Sequence, residues 1–263
     1  MVRLKIENVS KSFRLKAGRL PAVQNIDLDI DDGEFVCIVG PSGCGKTTLL
    51  NIIAGLENAT KGKVLHNGVL ISGSSPDRLV IFQDLGLFPW LTVEKNVEFG
   101  LRMKRVPLVK RRRIVRKYLR LVNLVKFRNA FIHELSGGMK QRVALARALA
   151  MDPEILLMDE PFAALDAQTR DMLHDELQKI LAQTGKTVVF ITHNVREAVC
   201  LGDRVAVMSA HPGRIKKIFT VDLKRPRHIE DPGSVEMVRT ILKELKDEIE
   251  KTFREEIGGA QSH

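Results

Sequence analysis

The stretch that most constrains the fold of this chain is residues 34–55. A short, nearly all-apolar run at 34–39 passes into Gly40-Pro41-Ser42-Gly43-Cys44-Gly45-Lys46-Thr47, then into a helical pattern ending at Gly55. A buried strand that delivers a glycine-rich loop to the start of a helix fits the phosphate-binding pattern G-x-x-x-x-G-K-[ST]. The glycines let backbone N–H groups turn inward around phosphate oxygens, and the helix N-terminus adds positive dipole. On this reading Lys46 reaches the β- and γ-phosphates of a nucleotide, Thr47 ligates Mg²⁺ through its hydroxyl, and Thr48 contacts the α-phosphate.

The rest of the chain repeats the alternation. Apolar strands are predicted at 79–82, 155–158, 187–191 and 204–208, with helical patterns at 139–150, 167–183 and 194–201. Such alternation implies a parallel sheet covered on both faces. The N-terminal part reads as strands at 3–9 and 22–30, where Ile26, Leu28 and Ile30 alternate with Asp27 and Asp29. Residues 93–128 carry helical spacing without strand signal and interrupt the alternation, as an inserted helical subdomain would. Residues 234–253 place Val238, Ile241, Leu242, Leu245 and Ile249 at i, i+3, i+4 spacing, an amphipathic helix. The expected division is one domain over 1–263, its core about 1–92 and 150–230, its helical part about 93–149, with a C-terminal helix and tail at 231–263.

Composition narrows the class. With 263 residues and 44% hydrophobic content the chain can bury a sizeable core, which excludes a disordered segment. Nothing approaches the roughly 18 consecutive apolar residues of a membrane-spanning helix. Residues 3–11 alternate charged and apolar positions and make no secretory signal. Cys37, Cys44 and Cys200 have no metal-like spacing and are expected as reduced thiols. The net charge of +10 permits an anionic partner without choosing one.

A phosphate loop alone does not separate kinases, GTPases, helicases and transport ATPases. Ile155-Leu156-Leu157-Met158-Asp159-Glu160 is an apolar strand ending in two carboxylates. Asp159 suits a Walker B role, holding Mg²⁺ through water, and Glu160 can polarise the attacking water as general base. Leu135-Ser136-Gly137-Gly138-Met139-Lys140-Gln141-Arg142 then strongly resembles the LSGGQ-type signature of ATP-binding cassette (ABC) ATPases, with Met139 in the usual glutamine place. A Ser-Gly-Gly turn opening a helix is a second anion site built from N–H groups and helix dipole.

The resemblance runs over nearly the whole chain and implies a fold and a set of roles. The fold is an α/β P-loop NTPase (RecA-like) core with an N-terminal antiparallel β-subdomain and an inserted α-helical subdomain. Ser136, Gly137 and Gly138 would bind the γ-phosphate of ATP held by an opposing cassette, in a homodimer or paired arrangement with ATP at the interface. Gln83 matches the Q-loop residue that senses Mg²⁺ and water, Asp166 the D-loop, His193 the H-loop histidine that orients the water, and Phe13 the aromatic that stacks on adenine. Gly40, Pro41, Ser42, Gly43, Cys44 and Gly45 line the phosphates beside Lys46 and Thr47. ATP and Mg²⁺ are the implied ligands.

The segment Gln83-Asp84-Leu85-Gly86-Leu87-Phe88-Pro89-Trp90-Leu91-Thr92-Val93 carries the one tryptophan and looks most like the nitrate/sulfonate/taurine-type importer ATPases. A partly exposed aromatic patch there would dock integral membrane permease subunits, which in turn meet a solute-binding protein. The chain would then sit peripherally on the cytoplasmic face of the inner membrane. The rival is an ABC ATPase acting on nucleic acid or ribosomes. It draws on a basic run, Arg102, Lys104, Arg105, Lys110, Arg111, Arg112, Arg113, Arg116, Lys117 and Arg120, with no acid among residues 100–120, which could contact phosphates. The same run could lie near anionic lipid headgroups or form a solvated helix face, the commonest case. No zinc-ligand cluster, long coiled-coil insertion or second cassette supports it.

Overall fold

A computed structural model describes residues 2–15 and 18–260; the side chains at 247, 249 and 251–260 lie outside the described set, and with them Ile249 of the C-terminal stripe and residues 261–263 of the tail. The elements in chain order are β1 (Val2–Leu15), β2 (Gly18–Asp31), β3 (Phe35–Val39), α1 (Lys46–Ala54), β4 (Lys61–His66), β5 (Val69–Leu70) and β6 (Arg78–Ile81). There follow α2 (Val93–Met103), α3 (Leu108–Leu121), α4 (Gly137–Ala150), β7 (Ile155–Asp159), α5 (Ala167–Thr184), β8 (Thr187–Thr192), α6 (Val195–Leu201), β9 (Arg204–Met208), β10 (Ile215–Thr220) and α7 (Pro232–Ala260). They fall into two compact units, residues 1–75 with 187–263, and residues 76–186.

In the first unit β3 runs parallel to β8 on one side and to β9 on the other. Every residue of β3 and β8 is buried, as a strand covered on both faces requires. Phe35 of β3 and Phe190 of β8 meet with ring centroids 5.7 Å apart. β10 pairs antiparallel with β9, so this sheet is mixed where the sequence pattern predicted parallel strands throughout. The reason is visible in β10 itself: Lys216 and Lys217 stay exposed, and an antiparallel strand tolerates one wet face. A second, antiparallel sheet has the order β2-β1-β4-β5. Its alternation of Leu4, Ile6, Ile26, Leu28 and Ile30 inward against charged neighbours is the period-2 pattern of a half-buried sheet.

In the second unit β6 and β7 pair in parallel, and α2 and α3 pack against α4. α2 buries Val93, Asn96, Val97 and Leu101, and α3 buries Val115, Tyr118 and Leu119. Both sets follow the i, i+3, i+4 spacing of an amphipathic helix. The Thr92 side chain opens α2 by accepting from the Lys95 amide.

Candidate active site

The glycine-rich loop leaves β3 at Gly40 and enters α1 at Lys46. Gly43 and Gly45 have φ of +74° and +92°, the left-handed region that glycine enters without steric penalty. The loop is wedged by its own unit. A Cβ on Gly45 would lie 2.5 Å from Val23 Cγ1 and 2.7 Å from Ala22 O, and one on Gly213 would lie 1.9 Å from Cys44 O. Gly213 is itself tied to β2, donating to Ala22 O and accepting from the Gln24 amide, each at 2.9 Å. Neither Ala22, Val23 nor Gly213 carries a sequence signal that would assign it to the loop.

Chemically the loop is a cradle for anions. Lys46 is buried and its Nζ donates to Gly40 O and Pro41 O, both at 2.9 Å. Its other contact is the Cys44 Sγ at 3.9 Å; a buried ammonium held by neutral carbonyls and a thiol in a loop is poised for an anionic partner. At Gly45, the N-cap of α1, no side chain caps the exposed N–H groups, so they remain for phosphate oxygens. These features fit a nucleotide polyphosphate. Ser42, Gly43 and Thr47 are exposed at the loop surface, whereas the Cys44 side chain is buried, leaving its backbone to face a ligand. Burial pushes the Cys44 thiol pKa up. None of the three cysteines forms a disulfide, and all three are buried.

His193 follows β8 and is exposed. Its setting is stiff: Thr192 Oγ1 donates to Glu197 Oε2 at 2.6 Å and accepts from the Asn194 amide at 3.0 Å, while Asn194 caps α6. Phe13 lies on β1 with its ring outward, 36% exposed, and the Lys11 ammonium 5.1 Å from its centroid. The ring is surface, not core.

In the second unit β7 ends at Asp159, a buried carboxylate, and the next residue, Glu160, has φ +44°. A left-handed non-glycine residue costs of order 1–3 kcal/mol and aims the side chain where a continuing strand would not. Oxygen donors of the Asp159, Thr47 and Gln83 kind suit Mg²⁺, a hard cation. Gln83 stands exposed just past β6.

The structure brings the Ser136 turn and the Asp166 turn together. The Ser136 hydroxyl caps α4 by accepting from the Met139 amide, and the Asp166 carboxylate caps α5 by accepting from the Thr169 amide at 2.9 Å. A Cβ on Gly137 would sit 3.1 Å from Leu165 Cδ2, and one on Gly138 would sit 2.8 Å from Thr169 Cγ2. The two glycines are therefore what lets the first turn of α4 abut the first turn of α5. Further along the same helices, Arg142 and Glu176 form an ion pair at 2.8 Å.

Trp90 is 70% exposed, at the tip of the segment between β6 and α2. That segment is braced from within. Asn96, fully buried, accepts from the Phe88 amide and donates to the Phe88, Leu91 and Thr92 carbonyls, at 2.9–3.1 Å. Phe88 packs between Phe99 and Trp90, at centroid distances of 4.4 and 5.6 Å. Asn96 was not singled out from the sequence; the signal it offers is its place as a polar residue on the buried stripe of α2, which does not identify its partners.

A family profile described as ABC transporter matches residues 23–163, from the strand that wedges the phosphate loop to the turn after Glu160. The chain belongs to the ABC transporter family. An ABC transporter ATP-binding protein of Methanocaldococcus jannaschii is 53% identical over 96% of this chain and 95% of its own length. A taurine import ATP-binding protein of Roseobacter denitrificans is 48% identical, over 83% and 82%. A nitrate import ATP-binding protein of Synechocystis is 43% identical, over 95% and 91%. Among solved structures, a dimeric post-hydrolysis ATP-binding cassette bound to ADP and Pi superposes with TM-score 0.74 at 35% identity, over 84% of this chain and all of that one. The protein is thus an ABC cassette with the P-loop NTPase fold, and an ATPase of the nitrate/sulfonate/taurine-like branch. Among the described residues of this cassette no helix is long and apolar enough to cross a membrane.

Proposed function

We propose that this cassette is the ATP-hydrolysing subunit of an importer for a small solute of the nitrate, sulfonate or taurine kind, or a related organic compound. Lys46 and the N–H groups of residues 40–48 bind the phosphates, and Phe13 stacks on the adenine. Thr47, Gln83 and Asp159 would hold Mg²⁺, which when bound neutralises charge on the β- and γ-phosphates. Glu160 takes the proton of the attacking water, and His193 orients that water. Ser136, Gly137 and Gly138 contact the γ-phosphate of ATP on a second cassette, a homodimer or a paired chain, and Asp166 relays closure across that pair. The helical part at about 93–149 and the C-terminal helix and tail at 231–263 are segments of this single ATPase domain.

The observation that carries the importer reading is Trp90, exposed on a segment braced by Asn96. An aromatic held out to solvent on stiff backbone is what a docking anchor requires. Its partner is an integral membrane permease subunit, and through it a solute-binding protein. The cassette lies on the cytoplasmic face of the membrane. ATP-driven closure of the cassette pair then biases the permease between two access states.

Affinity purification in mild detergent from the native cells tests this. Co-purification of a polytopic membrane protein, lost on Trp90→Ala, is expected. Recovery of ribosomes or nucleic acid with no membrane partner would overturn the importer reading.

A further inference from the structure

The solvent face of α3 is cationic from end to end. Val115, Tyr118 and Leu119 are buried, and the same stripe carries the half-buried Arg111 and Ile114. That geometry turns Lys110, Arg112, Arg113, Arg116, Lys117 and Arg120 outward, all of them exposed. Arg111, turned inward, is the member that pairs with Glu98. The six exposed cations cover about 15 Å of helix. A helix face that only meets water mixes signs, because opposite charges at i, i+4 support the helix and like charges oppose it. Here Arg112–Arg116, Arg113–Lys117 and Arg116–Arg120 are all like-charge pairs, and residues 100–120 hold no acid to relieve them. Within the fold Asp152 interacts with Lys117; an external counter-charge would relieve the rest.

Apolar side chains accompany the charge. At the connection between α2 and α3, Met103 is 64%, Leu108 47% and Val109 84% exposed. Basic residues flanking exposed aliphatic ones are the composition of a segment lying in a lipid interface. A surface for single-stranded nucleic acid would also present aromatic rings for stacking. Tyr118, the aromatic of α3, is turned into the core instead.

We propose that this face binds the headgroups of an anionic lipid bilayer, with Val109 and Met103 entering the interfacial layer. The proposal deepens the peripheral-membrane reading on which it rests, and adds a lipid contact separate from the Trp90 anchor. The cations supply long-range attraction that salt screens over about 10 Å at 0.1 M. Val109 and Met103 supply a shorter-range, salt-resistant part.

Co-sedimentation of the purified full chain with vesicles tests it. Vesicles of phosphatidylcholine with 30% phosphatidylglycerol, about that fraction being enough for a negative surface potential, are compared with phosphatidylcholine alone. Binding at least about tenfold stronger to the anionic vesicles is expected, falling about tenfold in 0.5 M NaCl, where screening lengths shrink to a few ångströms. Reversal of three helix charges, Arg112→Glu, Arg113→Glu and Arg116→Glu, abolishes the preference while ATPase activity persists. Reversing Lys179, Lys224 and Arg239, exposed elsewhere, leaves it intact. Equal binding to both vesicles, or wild-type binding by the α3 variant, overturns the proposal. So does displacement from vesicles by RNA at lower concentration than the lipid. Loss of lipid preference with Trp90-dependent permease recovery intact removes this proposal alone; the converse removes the importer reading.

Discussion

Arg147 holds Gly86: its Nη1 donates to the Gly86 carbonyl at 2.6 Å, while Nη2 donates to Leu85 at 2.7 Å. The guanidinium also lies over the Phe88 ring, 5.7 Å from its centroid. Arg147 stands on α4, the helix whose first turn carries Ser136, so one side chain joins the signature helix to the segment that presents Trp90. Desolvation works against the charge, and the two carbonyls and the ring compensate it.

Arg147→Ala leaves both carbonyls without their charged donor. The expected cost is about 1.5–3 kcal/mol of stability, the range for hydrogen bonds to charged groups. Trp90, the one tryptophan, reports the local effect: its fluorescence anisotropy falls and amide exchange rises at residues 85–91. Unchanged anisotropy in a folded variant would mean that Asn96 alone braces the segment.

Gly138→Ala tests the contact between the signature turn and the D-loop turn. The added methyl would meet Thr169 Cγ2 at 2.8 Å and push the first turn of α4 from that of α5. The phosphate loop is untouched, so ATP affinity measured by nucleotide titration stays within about twofold. Turnover falls tenfold or more, corresponding to about 1.4 kcal/mol in the barrier.

Asp166 is one of the carboxylates whose titration the fold shifts, and its cap gives a local readout. The Thr169 amide donates to its carboxylate and holds its pKa below the usual aspartate value. A depressed carboxyl pKa stabilises the cap above the unfolded value and loses that support as pH falls through the folded one. The Thr169 amide proton shift should therefore titrate with a midpoint below about 3.9, the ordinary value. In Asp166→Asn, where the amide oxygen still caps, it should not titrate at all.

Much of this was readable from the chain. The strand at 204–208, the entry of α1 at Lys46 and the helices read at 139–150, 167–183 and 194–201 carry local signals, an apolar period or a glycine-rich turn, that tertiary structure did not override. The sequence offered little for β4, where only Val64 is buried among Lys61, Gly62 and Lys63, or for β10, whose wet face hides its alternation. Arg147 and Gly213 act on backbone atoms distant in sequence, and no composition or spacing encodes such a partner.

In the proposed mechanism Glu160, held at φ +44° after the buried Asp159, is the base for ATP hydrolysis. The most direct measurement is single-turnover and steady-state ATPase of Glu160→Gln beside its ATP affinity and its size in solution with ATP. Affinity near wild type, an ATP-dependent dimer and turnover lowered by about 10²–10⁴-fold, the contribution of a general base, are predicted. Turnover like that of the wild type would remove Glu160 from that role and contradict the account.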